Sequence, residues 1–171
     1  EVGDKGRDAE TIKMFRFNDE EVKKYRDGFG VAQSGVSGIK KILVENLFLT
    51  RTSVEKDPTA FGEGAVDMTE KAAASTATFG WLTTKTNSRL DQVLVGREYC
   101  RINLKTTAMG LAQHPMSQLL QEYLDMLALQ QEFKQFFNIP QSHTVQMLFR
   151  LGHAAATKHG PRRALNSIIK S

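Results

Sequence analysis

The side chains that could do chemistry in this chain are few: Cys100, Ser117, His114, His143, His153, His159, and the Arg162-Arg163 pair behind Pro161. No two histidines stand three or four residues apart, and Cys100 has no ligand-type neighbour, so the spacing of a helical metal site is missing. Ser117 lacks a Gly-x-Ser-x-Gly elbow and Cys100 lacks a Cys-His signature. Placed mid-helix, Cys100 reads as a small packed hydrophobe. Asp67, Asp91 and Glu122 are scattered acids without a visible partner, which leaves hydrolytic catalysis unsupported. There is no Gly-x-Gly-x-x-Gly and no P-loop. The Arg162-Arg163 pair remains: a guanidinium presents a planar fork that meets two phosphate oxygens at once. The competing reading is two solvated arginines near a carboxyl end.

The elements that must position these groups follow from periodicity and breakers. Glu1 to about Arg16 reads as a charged, frayed entry. Asn18 is an N-cap for a helix from Asp19 to about Asp27, with three acids in its first turn. Gly28, Gly30 and the stretch Ser34 to Gly38 interrupt the chain. Ile39, Ile42, Leu43, Leu47 and Phe48 predict an amphipathic helix to about Ser53, stopped by Asp57-Pro58. Thr59 to Glu70 reads as an irregular connection into a short helix through Met68, Ala72 and Ala73. Thr76 to Thr84 is the strongest strand. Arg89 to Leu111 predicts a long helix apolar on more than one face, hence packed on more than one side, wedged between a sheet and something else such as a second subunit. Pro115 pushes His114 out of helical backbone. Gln118 to Phe137 resumes helical spacing, and Thr144 to Gly152 is a strand covered on both faces. The order is α+β with helices in the majority.

The 171 residues are 40% apolar, which suits one domain or two small ones with a real core. A single cysteine excludes a disulfide scaffold. No stretch approaches the roughly 20 apolar residues of a membrane-spanning helix. The net charge of +4 invites a nucleic-acid reading. Against it, most Lys and Arg are interleaved with acids, and no alternation of aromatic and basic residues is present. Only the end of the chain, with Lys158, Arg162, Arg163 and Lys170, is one-sidedly basic. The chain opens on Glu1, so either it was processed or it is a piece of something longer.

Several stretches taken together carry a resemblance. They are Gly80-Trp81-Leu82-x-Thr84, Asn87-x-Arg89-x-x-Gln92, Gly96-Arg97-x-Tyr99-x-Arg101, the run from Gly110 to Tyr123, and Val145-Gln146-Met147-Leu148-x-Arg150-Leu151-Gly152 followed by Pro161-Arg162-Arg163. This combination resembles the nitroreductase-like FMN-binding flavoproteins, within them the bacterial branch that often carries a twin-arginine signal. The match covers roughly Phe17 to Ile169.

The resemblance implies an α+β fold with helices around a small mixed sheet and FMN held where two protomers or two fused halves meet. It would make residues 1–171 a single domain, with a helical section over 17–75 and a core over 76–171 that carries the flavin-site segments. Arg162 matches the arginine that contacts the FMN phosphate, with Arg163 beside it and Lys158 standing in for a lysine the family places two residues earlier, where this chain has Gly160. Pro115, Met116, Ser117 and Gln118 match the loop whose backbone lies against the flavin ring. Where common relatives have Glu-Gly, this chain has Ser117-Gln118, so a hydrogen bond to the flavin N5 edge must come from another group. Glu1 to Ser53 holds no counterpart to the family's front segment, so the chain resembles a C-terminal half. A homodimer partner or a companion chain would complete it.

The implied activity is hydride transfer from NAD(P)H through FMN to a nitro or quinone-type small-molecule acceptor. The alternative is a non-catalytic module that binds, sequesters or covers FMN. The implied location is cytoplasmic, or periplasmic if a twin-arginine signal was removed upstream.

Overall fold

The computed structural model describes residues 4–31, 38, 39, 44, 50–155, 160 and 162–169. They form two compact units, one from Glu1–Ala74 and Ala155–Ser171, the other Ser75–Ala154. Of the helix expected from about Gly38 to about Ser53, residues 40–43 and 45–49 lie outside the described residues.

In the first unit the stretch expected to fray holds a helix, α1 (Lys5–Met14). The Asp4 carboxylate caps it, accepting from the Gly6 and Arg7 N–H groups. The chain then forms β1 (Phe15–Arg16), α2 (Asp19–Tyr25) and β2 (Phe29–Gly30). β1 and β2 pair in parallel, Phe15 with Phe29 and Arg16 with Gly30. Asn18 caps α2 as expected, its Oδ1 accepting from the Glu21 N–H at 2.9 Å. The Glu21 carboxylate in turn takes the Phe17 N–H and the Arg51 guanidinium, which lies over the Phe17 ring. Phe15, Phe17, Val31 and Val54 form the core, and Ile12 and Val44 pack on it. Within it the Arg16 guanidinium is buried but paired, donating to Asp27 at 2.6 Å and to the Lys13 carbonyl.

The described residues of this unit also form α3 (Arg51–Lys56) and α4 (Pro58–Ala74). Asp57 separates them and Pro58 opens α4, where a missing N–H costs nothing. α4 runs unbroken through Gly62 and Gly64, correcting the irregular connection expected there. Two glycines cost about 1 kcal/mol each against alanine, which the surrounding helix formers offset.

The second unit holds β3 (Thr78–Thr84), α5 (Arg89–Ala108), β4 (Ala112–Pro115), α6 (Leu127–Phe136) and β5 (Thr144–Gly152). The sheet order is β3-β5-β4, antiparallel throughout. The small mixed sheet expected from the resemblance is therefore replaced by an antiparallel sheet here and a separate parallel pair in the first unit. β5, the most apolar strand, takes the central place, with Val145, Leu148 and Phe149 buried.

Side chains alternate across a strand, so the adjacent Gly80 and Trp81 face opposite ways. On the Gly80 side the Phe149 ring meets Tyr99 of α5 at 5.7 Å. On the other side Trp81 meets Phe137 at 4.6 Å and Phe133 of α6 at 6.0 Å. Helices thus cover both faces of the sheet. α5 itself is covered on one side: Leu90, Val93, Leu94 and Leu104 are exposed, and Cys100 is exposed too, correcting its reading as a packed hydrophobe.

Both helix ends in this unit are decided by left-handed residues. Gly110, at φ 72°, ends α5, with Gly110 N–H donating to the Thr107 carbonyl and Leu111 N–H to that of Thr106. Asn138, at φ 53°, ends α6 with the same pair of bonds, to Gln135 and Lys134. The helix expected from Gln118 to Phe137 is instead two short 3₁₀ turns, Ser117–Leu120 and Leu124–Met126, ahead of α6.

Candidate functional site

The turn at Gly110 delivers the chain to the edge of β5. β4 then pairs Ala112 with Gly152, Gln113 with Leu151, His114 with Arg150 and Pro115 with Phe149. The Met116 N–H continues the ladder, donating to the Leu148 carbonyl at 2.9 Å. Antiparallel ladders alternate, so the Gln113 N–H and C=O turn away from β5 to the outer edge. The expected loop is thus a surface segment: Pro115 ends the strand, Met116 is half-buried, and Ser117 and Gln118 are exposed in a 3₁₀ turn.

β4 was not visible as a strand from its own sequence, yet it places His114 beside Arg150. The Arg150 Nε–H donates to His114 Nδ1 at 2.9 Å and its Nη1 to the Thr76 hydroxyl at 3.3 Å. Burial first, and the Arg150 charge second, hold the His114 imidazole below its usual pKa. These residues line a cavity of about 420 Å³ with Gly152 and His153.

A second cavity, of about 450 Å³, opens among Asn87, Gln92, Leu120, Glu122, Phe133 and Gln146. Asn87 organises its polar wall. Its Oδ1 accepts from Gln92 and Gln146, each at 3.1 Å, and its Nδ2 donates to Glu122 at 3.4 Å. The acids expected to be partnerless have partners: Asp67 pairs with Lys71, Asp91 accepts from the Thr86 and Ser88 hydroxyls, and Glu122 accepts from Asn87. The Thr86 and Ser88 hydroxyls hold the Asp91 carboxyl below its usual pKa.

Of the residues matched to a flavin site, Pro115, Met116, Ser117 and Gln118 are brought together in the second unit. Arg162 and Arg163 are exposed and belong to the first, just ahead of a 3₁₀ turn at Leu165–Ser167. Lys158 lies outside the described residues. Sequence reasoning singled out neither Arg150 nor Thr76 as site residues. The available signal was Arg150 itself, a charged residue inside an otherwise apolar strand. Among the described residues, no group of three or more His, Cys, Asp and Glu is arranged to hold a metal ion, and no helix is long and apolar enough to cross a membrane.

Comparison with known protein families, curated proteins and solved structures finds no match to this chain.

Proposed function

We propose that the chain is part of an FMN-dependent, nitroreductase-like oxidoreductase. The observation that carries this reading is the surface segment Pro115–Gln118, held along the sheet edge beside β4 residues that line a cavity. An extended edge of this kind fits the rim of a flat heteroaromatic ring, since the outward Gln113 N–H and C=O supply one donor and one acceptor. Arg162 and Arg163, both exposed, fit the phosphate in kind, since each offers a charged fork.

Bound FMN supplies the hydride acceptance from NAD(P)H and the onward transfer to a nitro or quinone-type acceptor. The protein's residues hold and orient it, and no side-chain acid or base is needed at the reacting atoms. The exposed Leu90, Val93, Leu94 and Leu104 of α5 support a second copy or companion chain that covers this helix.

The test is the colour of the purified protein and its response to reductant. A yellow protein that bleaches with NADPH and recovers with a nitroaromatic supports the reading. Yellow colour without bleaching favours a module that sequesters or covers FMN, and a protein that binds no FMN ends both. Arg162→Ala lowers FMN retention; unchanged flavin stoichiometry would remove Arg162 from the site.

A further inference from the structure

The cavity of about 450 Å³ in the second unit carries two opposite charges that do not meet. Glu122 and Lys134 both line it, and neither forms an ion pair among the described residues. Glu122 accepts one long bond, from Asn87 Nδ2 at 3.4 Å, and Lys134 donates one, to the Gln141 carbonyl at 3.3 Å. An ionised carboxylate has roughly four lone-pair sites and an ammonium several protons, so both groups keep most of their capacity. The size of the cavity falls within the range of small-molecule sites.

The carboxylate is positioned by the amides behind it. Asn87 Oδ1 is taken by Gln92 and Gln146, each at 3.1 Å, which turns Nδ2 toward Glu122. Gln146 Nε2 is spent on Thr84 and Asn87, so the group it has left is an acceptor. Gln130 Nε2 is likewise spent, on the Gln121 carbonyl at 2.9 Å. The lining is thus rich in acceptors, Lys134 is its only cation, and Leu120, Phe133 and Val145 supply an apolar wall. Opposite charges on one cavity, each without a counter-ion, are the complement of a zwitterion. The ammonium of an amino acid brings the donors that Glu122 lacks, and its carboxylate takes the Lys134 ammonium.

We infer that this cavity takes a free amino acid with an apolar side chain, its ammonium on Glu122, its carboxylate on Lys134 and its side chain against Leu120 and Phe133. The inference goes beyond the flavin reading and does not rest on it, because none of the residues matched to a flavin site lines this cavity. Glu122 and Lys134 act by direct contact, and Asn87 positions the carboxylate.

The experiment titrates the full chain by calorimetry with L-phenylalanine and L-leucine, each beside the compounds that lack one of its charges. These are phenethylamine and hydrocinnamate for phenylalanine, isopentylamine and isocaproate for leucine. Wild type is expected to bind at least one of the two amino acids saturably, and to bind it about threefold or more tighter than its amine or its acid. Glu122→Gln keeps the shape of the side chain, removes its charge and should weaken binding about tenfold or more. Lys134→Met keeps the apolar stem and should weaken it about three- to tenfold. An amine that still binds, and loses affinity in Glu122→Gln but not in Lys134→Met, supports the assignment of the two charges. If Glu122→Gln fails to fold, Lys134→Met carries the test. The inference is overturned if wild type binds neither amino acid saturably, if the amine or the acid binds as tightly as the amino acid, or if affinity is unchanged in either variant that folds.

Discussion

Gly80 stands directly opposite Phe149 in the β3/β5 ladder, and a Cβ on Gly80 would lie 2.7 Å from the Phe149 ring. The missing side chain is the space the ring occupies on its way to Tyr99 of α5. Gly80→Ala must push the ring or the strand aside. The expected loss is about 1–3 kcal/mol, the usual scale of overpacking. Urea unfolding of the two proteins measures it, and an alanine variant as stable as wild type would contradict this packing.

Glu21 links the first unit to pH. Burial by itself raises its pKa, but the Phe17 N–H and the Arg51 guanidinium outweigh burial and hold the carboxyl below its ordinary 4.5. A lowered folded pKa contributes stability in full above the unfolded value, and that contribution is lost as pH falls through the folded one. Melting temperature should therefore drop as the solution is acidified below about pH 4.5, more steeply in wild type than in Glu21→Gln. Parallel acid limbs for the two proteins would show that this carboxylate has no such role.

Ser88 caps α5, its hydroxyl accepting from the Asp91 N–H at 3.1 Å. Ser88→Ala is expected to cost about 1 kcal/mol, most of it recovered by Ser88→Asn, which restores an acceptor. Equal losses in both variants would assign the effect to something other than the cap.

Cys100 tests whether the outer side of α5 is bare in solution. Its thiol is exposed in the chain taken alone. A second copy over this helix should slow maleimide labelling of the concentrated native protein, with the protection lost on dilution. Complete labelling at every concentration, at a rate close to that of the unfolded chain, would leave the outer side of α5 bare.

Much of the fold was legible from short-range signals. The strand at Thr144–Gly152 and the cap residue Asn18 are set by neighbours within a few positions, and the structure places them where the sequence does. The strand at Thr78–Thr84 differs only by a later start. Other elements escaped because local propensity misleads at them. Gly62 and Gly64 look like breakers but sit inside α4. Ala112–Pro115 has no strand pattern of its own and becomes β4 only because β5 offers it an open edge.

The candidate site divides along the same line. Residue type singled out the arginine pair near the end of the chain as a candidate, and the resemblance singled out the loop at Pro115–Gln118. The contact between His114 and Arg150, 36 residues apart, exists only once β4 and β5 pair. The same holds for the amide cluster that joins Asn87 to Gln146 across 59 residues. Sequence determined which strands, helix starts and charged groups were available, because those depend on side-chain type and near neighbours. Tertiary structure alone decided which groups share a cavity, because strand pairing joins residues whose separation along the chain carries no trace of their meeting.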